Sequence, residues 1–183
     1  MATAVAERFH YTPLQRPDSI RILELLPGPS KSPLRCRLIE CMPEDGISYE
    51  ALSYTWNGNV LDHPILLEDA NSKGMLQITQ NLHDALQAMR KPDQRLRLWA
   101  DAVCIDQSNM QDKSCQVPRM GQIFRDAVRV VVWLGAGSDM SSKSVELISQ
   151  IASGPGAPSF RDVIEPSHDD HRHLYKHFAS LPW

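Results

Sequence analysis

Residues able to do chemistry gather in three short polar stretches, each at the end of an apolar run. They are Ser53-Tyr54-Thr55-Trp56-Asn57-Gly58, Cys104-Ile105-Asp106-Gln107 and Trp133-Leu134-Gly135-Ala136-Gly137. The apolar runs read as strands, and in an open α/β sheet ligands gather beyond the carboxyl ends of the strands. Asn57-Gly58 permits positive φ and close approach of the backbone to a ligand. Asp106 and Gln107 offer a carboxylate and an amide, a pair suited to a ribose or another hydroxylated molecule. The same two residues equally suit the cap of a following helix.

Asp101 belongs with this group. In Leu98-Trp-Ala-Asp-Ala-Val-Cys-Ile, read as a strand, it alternates onto the face of Trp99, Val103 and Ile105. An ionised carboxylate in an apolar strand is costly unless paired or hydrogen-bonded. A structural role, accepting from backbone amides or Arg97, is one reading; a share in a polar site is the other. The candidate ligand-binding set is therefore Ser53, Tyr54, Trp56, Asn57, Gly58, Asp101, Asp106 and Gln107, with no catalytic residue assigned. Trp56, Trp99 and Trp133 read as core and rim packing. No phosphate-binding loop, dinucleotide fingerprint or Gly-x-Ser-x-Gly elbow is present. Cys104 is the one plausible thiol nucleophile, and nothing in the pattern supports that role.

Metal chemistry has little support. Cys36, Cys41, Cys104 and Cys115 are scattered, and none forms Cys-x-x-Cys. Cys36 and Cys104 sit in apolar segments and read as buried free thiols. His168, His171, His173 and His177 have helical spacing, but Asp169, Asp170, Arg172 and Lys176 interleave them, so the cluster reads as solvated surface.

The elements that must position these residues follow from pattern. Ile20–Leu26 and Leu34–Cys41 read as strands that can pair as a hairpin across Pro27-Gly28-Pro29-Ser30. Tyr49–Trp56 reads as a third strand, with short strands at Pro64–Asp69 and Gly74–Ile78. The period then changes. Leu82, Ala85, Leu86 and Met89 mark one helical face, with Asn81 as its cap. Leu96–Ile105 reads as a central strand. Ser108-x-x-Gln111 opens a helix with an apolar face of Val117, Met120, Ile123, Phe124 and Ala127, kinked or restarted at Pro118. Val128–Gly135 is the next strand. Val145, Ile148 and Ile151 mark a helix opened by Ser141 or Ser142, residues 153–169 form a loop, and His171–Leu181 forms a short helix.

This order predicts an α/β fold with a mainly parallel sheet flanked by helices and an N-terminal β-hairpin-like addition. The expected organisation is an extended lead-in at 1–18, a domain at 19–152 with its motifs at 49–135, and a loop and short helix at 153–183. The chain of 183 residues suits one ordinary domain, and its 42% hydrophobic and 22% charged residues are normal for a globular protein. A net charge of −3 and a pI near 6.1 give no electrostatic argument for nucleic acid or an anionic membrane. No apolar run reaches membrane-spanning length, and the first residues lack a signal-peptide core, so a cytoplasmic location is expected.

Taken in series, Tyr49-Glu-Ala-Leu-Ser-Tyr-Thr-Trp-Asn-Gly, Ile78-Thr-x-Asn-Leu-x-x-Ala-Leu, Leu98-Trp-Ala-Asp-Ala-Val-Cys-Ile-Asp-Gln and Gln116-Val-x-x-Met-x-x-Ile-Phe-x-x-Ala-x-x-Val-x-Val-Trp-Leu-Gly resemble the fungal heterokaryon-incompatibility (HET) domain. The resemblance implies an effector of non-self recognition that triggers growth arrest or programmed cell death when unlike hyphae fuse. It implies self-association, or association with other incompatibility proteins, as the mode of partnership. It also implies a TIR-like core, with NAD as a cofactor or substrate by analogy and NAD hydrolysis or nucleotide binding as the alternative activity. Two departures stand out. Asp112-Lys113 occupies the place of the family's Glu-Arg or Glu-Lys. The chain ends at Leu181-Pro182-Trp183, where an Arg-x-Trp-x-x-Gln-Glu segment is expected. The resemblance thus implies a truncated form without NAD cleavage of its own, or an inert or dominant-negative remnant.

Overall fold

Among the described residues seven strands form one mixed sheet in the order β5-β4-β2-β1-β6-β3-β7. They are β1 (Ile20–Leu25), β2 (Arg35–Cys41), β3 (Glu50–Tyr54), β4 (His63–Glu68), β5 (Lys73–Ile78), β6 (Leu96–Trp99) and β7 (Arg129–Trp133). The α-helices among the described residues are α1 (Gln80–Met89), α2 (Asp101–Cys104), α3 (Met110–Gln116) and α4 (Met120–Asp126). The computed structural model describes residues 7–56, 60–133 and 135. The chain separates into two compact units, Met1–Trp133 and Leu134–Trp183. The readings at Asn57, Gly58, Gly137, residues 141–151, residues 153–181 and the histidine cluster lie outside the described residues.

The expectation of a mainly parallel sheet is corrected. Three of the six strand pairings are antiparallel, β1–β2, β1–β6 and β4–β5, and they include the two longest ladders. The parallel pairings are β2–β4, β3–β6 and β3–β7. The reason lies in the connections. Short turns between β1 and β2 and between β4 and β5 force antiparallel neighbours, whereas helical crossovers allow parallel ones. Alternating strands and helices after residue 81 therefore bear only on β6 and β7, both of which run parallel to β3. The N-terminal hairpin forms as expected, but it is no addition: β1 lies beside β6 in the middle of the sheet.

Its position explains the composition of β1, whose six residues are all buried. Two of them are charged, and each has partners. Glu24 lies 3.4 Å from Arg95 and 3.5 Å from Arg97. Arg21 pairs with Asp112 at 2.9 Å. A buried charge survives only when such partners replace water.

The long apolar stretch predicted as one strand is also corrected. β6 stops at Trp99, and Asp101–Cys104 turns helical as α2. A fully buried apolar run has no period that separates strand from helix. Here Asp101 is the first residue of the turn, where a carboxylate is favoured by the helix dipole, and it accepts from the Ala102 amide at 2.8 Å. The cap of α1 is Thr79, whose hydroxyl accepts from Leu82 at 3.4 Å, rather than Asn81. Asn109, not Ser108, caps α3, accepting from Gln111 and Asp112. Pro118 interrupts the next helix as predicted, within a 3₁₀ turn at Val117–Arg119 that leaves Val117 exposed rather than on the apolar face.

The two flanking helices lie on opposite faces. Trp99 meets Phe124 of α4 edge-to-face at 5.5 Å, while Trp133 donates to Asn81 of α1 at 2.9 Å. In register, Ala51 aligns with Trp99 and Tyr54 with Trp133. Ala51 and Tyr54 are three residues apart on β3, so their side chains face opposite ways.

The lead-in joins the fold at the other end. Phe9 donates to Met75 O at 2.9 Å, and Met75 donates to Glu7 O at 2.7 Å, a parallel bridge onto β5. This approach needs Gly74, where an added Cβ would lie 2.6 Å from Glu7 O and from Phe9 N. Gly74→Ala is expected to cost about 1–3 kcal/mol in urea unfolding, with loss of hydrogen-exchange protection at the Met75 amide.

Candidate functional site

The parallel strands β6, β3 and β7 bring three chain exits to one edge of the sheet, where Tyr54 and Trp56 meet Asp101 and Trp133 meets Asn81. Asp101 is the centre. Its Oδ1 accepts from the Tyr54 hydroxyl at 2.9 Å and from the Ala102 amide, and its Oδ2 accepts from Trp56 Nε1 at 3.0 Å. The structural reading of Asp101 therefore holds in kind, with two aromatic donors joining a backbone amide. Arg97 is not its partner, because Arg97 faces Glu24. Burial, together with the neighbouring Asp101 carboxylate, holds the Tyr54 phenol well above its ordinary range, so it remains a donor.

A second bridge runs alongside. Asn81 donates to Thr55 O at 2.6 Å and accepts from Trp133 Nε1 at 2.9 Å. One amide thus ties the exits of β3 and β7 to the first turn of α1. Tyr49, at the other end of that segment, donates to Ile123 O at 2.7 Å and anchors α4.

Trp56, Asp106 and Gln107 line one crevice of about 740 Å³. That volume suits a small organic ligand. Asp106 Oδ1 accepts from the Ser108 amide at 3.0 Å and hydroxyl at 2.6 Å, which is a turn-forming role. Its Oδ2 has no protein donor among the described residues. Gln107 donates Nε2 to Asp101 O at 2.9 Å and keeps Oε1 available. Both residues thus have structural bonds and spare acceptors. Ser53 and Tyr54 do not line the crevice. Ser53 stands on β3 opposite Val132, and Tyr54 acts through Asp101.

Sequence reasoning missed two contributors. Arg21 of β1 reaches both Asp112 oxygens, Cys104 O and Thr12 O, with its guanidinium 5.3 Å from the Tyr11 ring centroid. Asp112 Oδ2 also accepts from the Asp106 amide at 2.7 Å. Asp112 thus couples the central strand to the crevice loop. The other contributor is the lead-in, whose Arg8, His10 and Tyr11 line the same crevice. No local motif marks either, since both depend on pairing between distant segments.

Cys104 is buried and free, and burial pushes its thiol up to about 12, as it does for Cys36. A thiol held protonated is a poor nucleophile. Among the described residues no cluster of His, Cys, Asp or Glu has the form of a metal site, and no helix is long and apolar enough to cross a membrane.

Comparison with known proteins agrees with the motif series. Residues 49–183 match the family described as Heterokaryon incompatibility protein (HET). The chain is 32% identical over 142 residues to Heterokaryon incompatibility protein 6, OR allele, of Neurospora crassa. That similarity covers 72% of this chain and 21% of the relative, so the chain spans about a fifth of the relative's length. No solved structure matches the chain.

Two outcomes test this geometry. Asp101→Ala leaves the Tyr54 and Trp56 donors without their acceptor and is expected to cost about 2–4 kcal/mol in urea unfolding, while Asp101→Asn, which keeps one acceptor oxygen, costs less. The second concerns pH. The fold raises the Cys36 and Cys104 thiols from 9.0 to about 12 and so favours their neutral forms. Their contribution to stability is full below about pH 9 and falls as pH rises toward about 12, because the unfolded chain deprotonates first. Denaturant titrations across that range check the slope. At pH 8 Ellman's reagent should label exposed Cys115 promptly and the three buried cysteines, Cys36, Cys41 and Cys104, only as fast as the chain unfolds.

Proposed function

The chain belongs to the heterokaryon incompatibility (HET) family, and we propose that it serves as an effector of fungal non-self recognition whose working surface is the crevice at the exits of β3 and β6. The effector output is growth arrest or programmed cell death, and a TIR-like arrangement is confined to the parallel β6-β3-β7 portion. The observation that carries this reading is the Asp101 network. Tyr54, Trp56 and Asp101 come from two separated family motifs, and their mutual bonds hold Trp56 at the crevice that Asp106 and Gln107 also line. A fully satisfied network of this kind fixes one orientation of the Trp56 ring at the crevice. Assembly with a second copy or with other incompatibility proteins is part of the proposal, supported by the exposed Val130 and Val132 of β7, which pairs only with β3 among the described strands.

A second reading, nucleotide binding with NAD hydrolysis, rests on the crevice itself. Its volume admits a ligand of that class, and the spare acceptors of Asp106 and Gln107 fit ribose hydroxyls. NAD would bring a labile glycosidic bond. These side chains would hold its sugar.

Inducible expression of the chain in a filamentous fungus tests both readings, with colony extension and cellular NAD as readouts. Arrest is expected with the native chain and is expected to be lost in Trp56→Ala at equal protein level. Arrest without a fall in NAD supports the first reading alone. A native chain that leaves growth unchanged, or a Trp56→Ala chain that arrests as strongly, overturns the use of this surface.

A further inference from the structure

The crevice has a wall that the family motifs do not supply. Residues 8–11 run along β5 as an extended strap upstream of the matched segment 49–183. The strap is well seated. Phe9 is 2% exposed and meets Tyr11 edge-to-face at 5.1 Å, and the Tyr11 hydroxyl donates to Val103 O at 2.9 Å. Residues of an extended strand alternate in facing. With Phe9 turned inward, Arg8 and His10 are both exposed, and both line the crevice. Among the described residues Arg8 forms no ion pair, and the His10 side chain forms no hydrogen bond, only its backbone amide donating to Ser72 Oγ at 3.3 Å.

The crevice therefore has two chemically distinct parts. Asp106 and Gln107 present acceptors suited to hydroxyl donors. Arg8 and His10 present a guanidinium fork and an imidazole, a combination suited to an anion with several oxygens. We propose that the strap is the anion-binding half of the crevice and that the ligand is a phosphorylated sugar, its hydroxyls on Asp106 and Gln107 and its phosphate on Arg8 and His10. The inference rests on the crevice being a ligand site and adds the charge and class of what it takes. The phosphorylated sugar belongs either to a free sugar phosphate or to a nucleotide, and in the second case Trp56 supplies a face for the base.

Titration calorimetry of the full chain with AMP, ribose 5-phosphate and adenosine tests the assignment. AMP is expected to bind at least about tenfold more tightly than adenosine, and Arg8→Ala/His10→Ala is expected to abolish that difference while leaving adenosine unchanged. Both side chains are exposed, so the pair can change without opening the core; thermal melting verifies this, and Arg8→Gln/His10→Gln repeats the charge removal without shortening the side chains. Binding of ribose 5-phosphate as tightly as AMP identifies a sugar phosphate; preference for AMP identifies a nucleotide. Equal affinity of the native chain for AMP and adenosine overturns the proposal. So does equal weakening of both by the double variants, or failure of both phosphorylated probes to bind. These failures leave the growth-arrest reading standing, because its readout is colony extension and not ligand affinity.

Discussion

One carboxylate organises the working edge of this protein. Asp101 stands where β6 ends and a single helical turn begins, and it takes donors from a tyrosine, a tryptophan and a backbone amide. A charge in this position is tolerable only because those donors replace water. The arrangement works in both directions. The carboxylate turns the backbone out of the strand, and it orients Trp56 toward the crevice. Gln107 then closes the turn by bonding the Asp101 carbonyl, so the crevice loop is held by the same residue. Asn81 performs the parallel task between β3, β7 and α1.

The coupling extends inward. Asp112 accepts from Arg21 on the most buried strand and from the amide of Asp106 on the crevice loop. Arg21 also reaches Thr12 O and lies over Tyr11, both in the lead-in. Core, loop and strap therefore share one hydrogen-bonded group. A buried pair of this kind adds little net stability, but removing either partner leaves an uncompensated charge. Its value here is positional.

Much of this was legible in the residues. Alternation in Arg35–Cys41, the turn at Pro27–Ser30 and the helical spacing of Leu82, Ala85 and Leu86 each report local geometry, and each element forms. Trp56, Asp106 and Gln107 line one crevice, but Asp106 and Gln107 reach it beyond the α2 turn and not from the end of a strand. What was not legible depends on distance along the chain. The direction of β1 relative to β6 follows from pairing between Leu23 and Leu98, which no local pattern encodes. The helical turn at Asp101 hides in a run apolar enough for either state. Arg8 and His10 carry no motif, and only the bridge to Met75 brings them to the crevice.

The placement of β1 and β2 between β4 and β6 has a consequence for how the polypeptide matures. Of the strands in this sheet these two leave the ribosome earliest and can close their hairpin at once, yet the neighbours that flank them on either side are synthesised later. Until β6 emerges, the β1 edge of the hairpin stays unpaired, and its buried arginine and glutamate lack Asp112, Arg95 and Arg97. Such non-local closure slows folding and lengthens exposure to mispairing. A fragment begun at Tyr49, where the family match begins, would lack the two strands that join β4 to β6 and would leave the sheet in two halves.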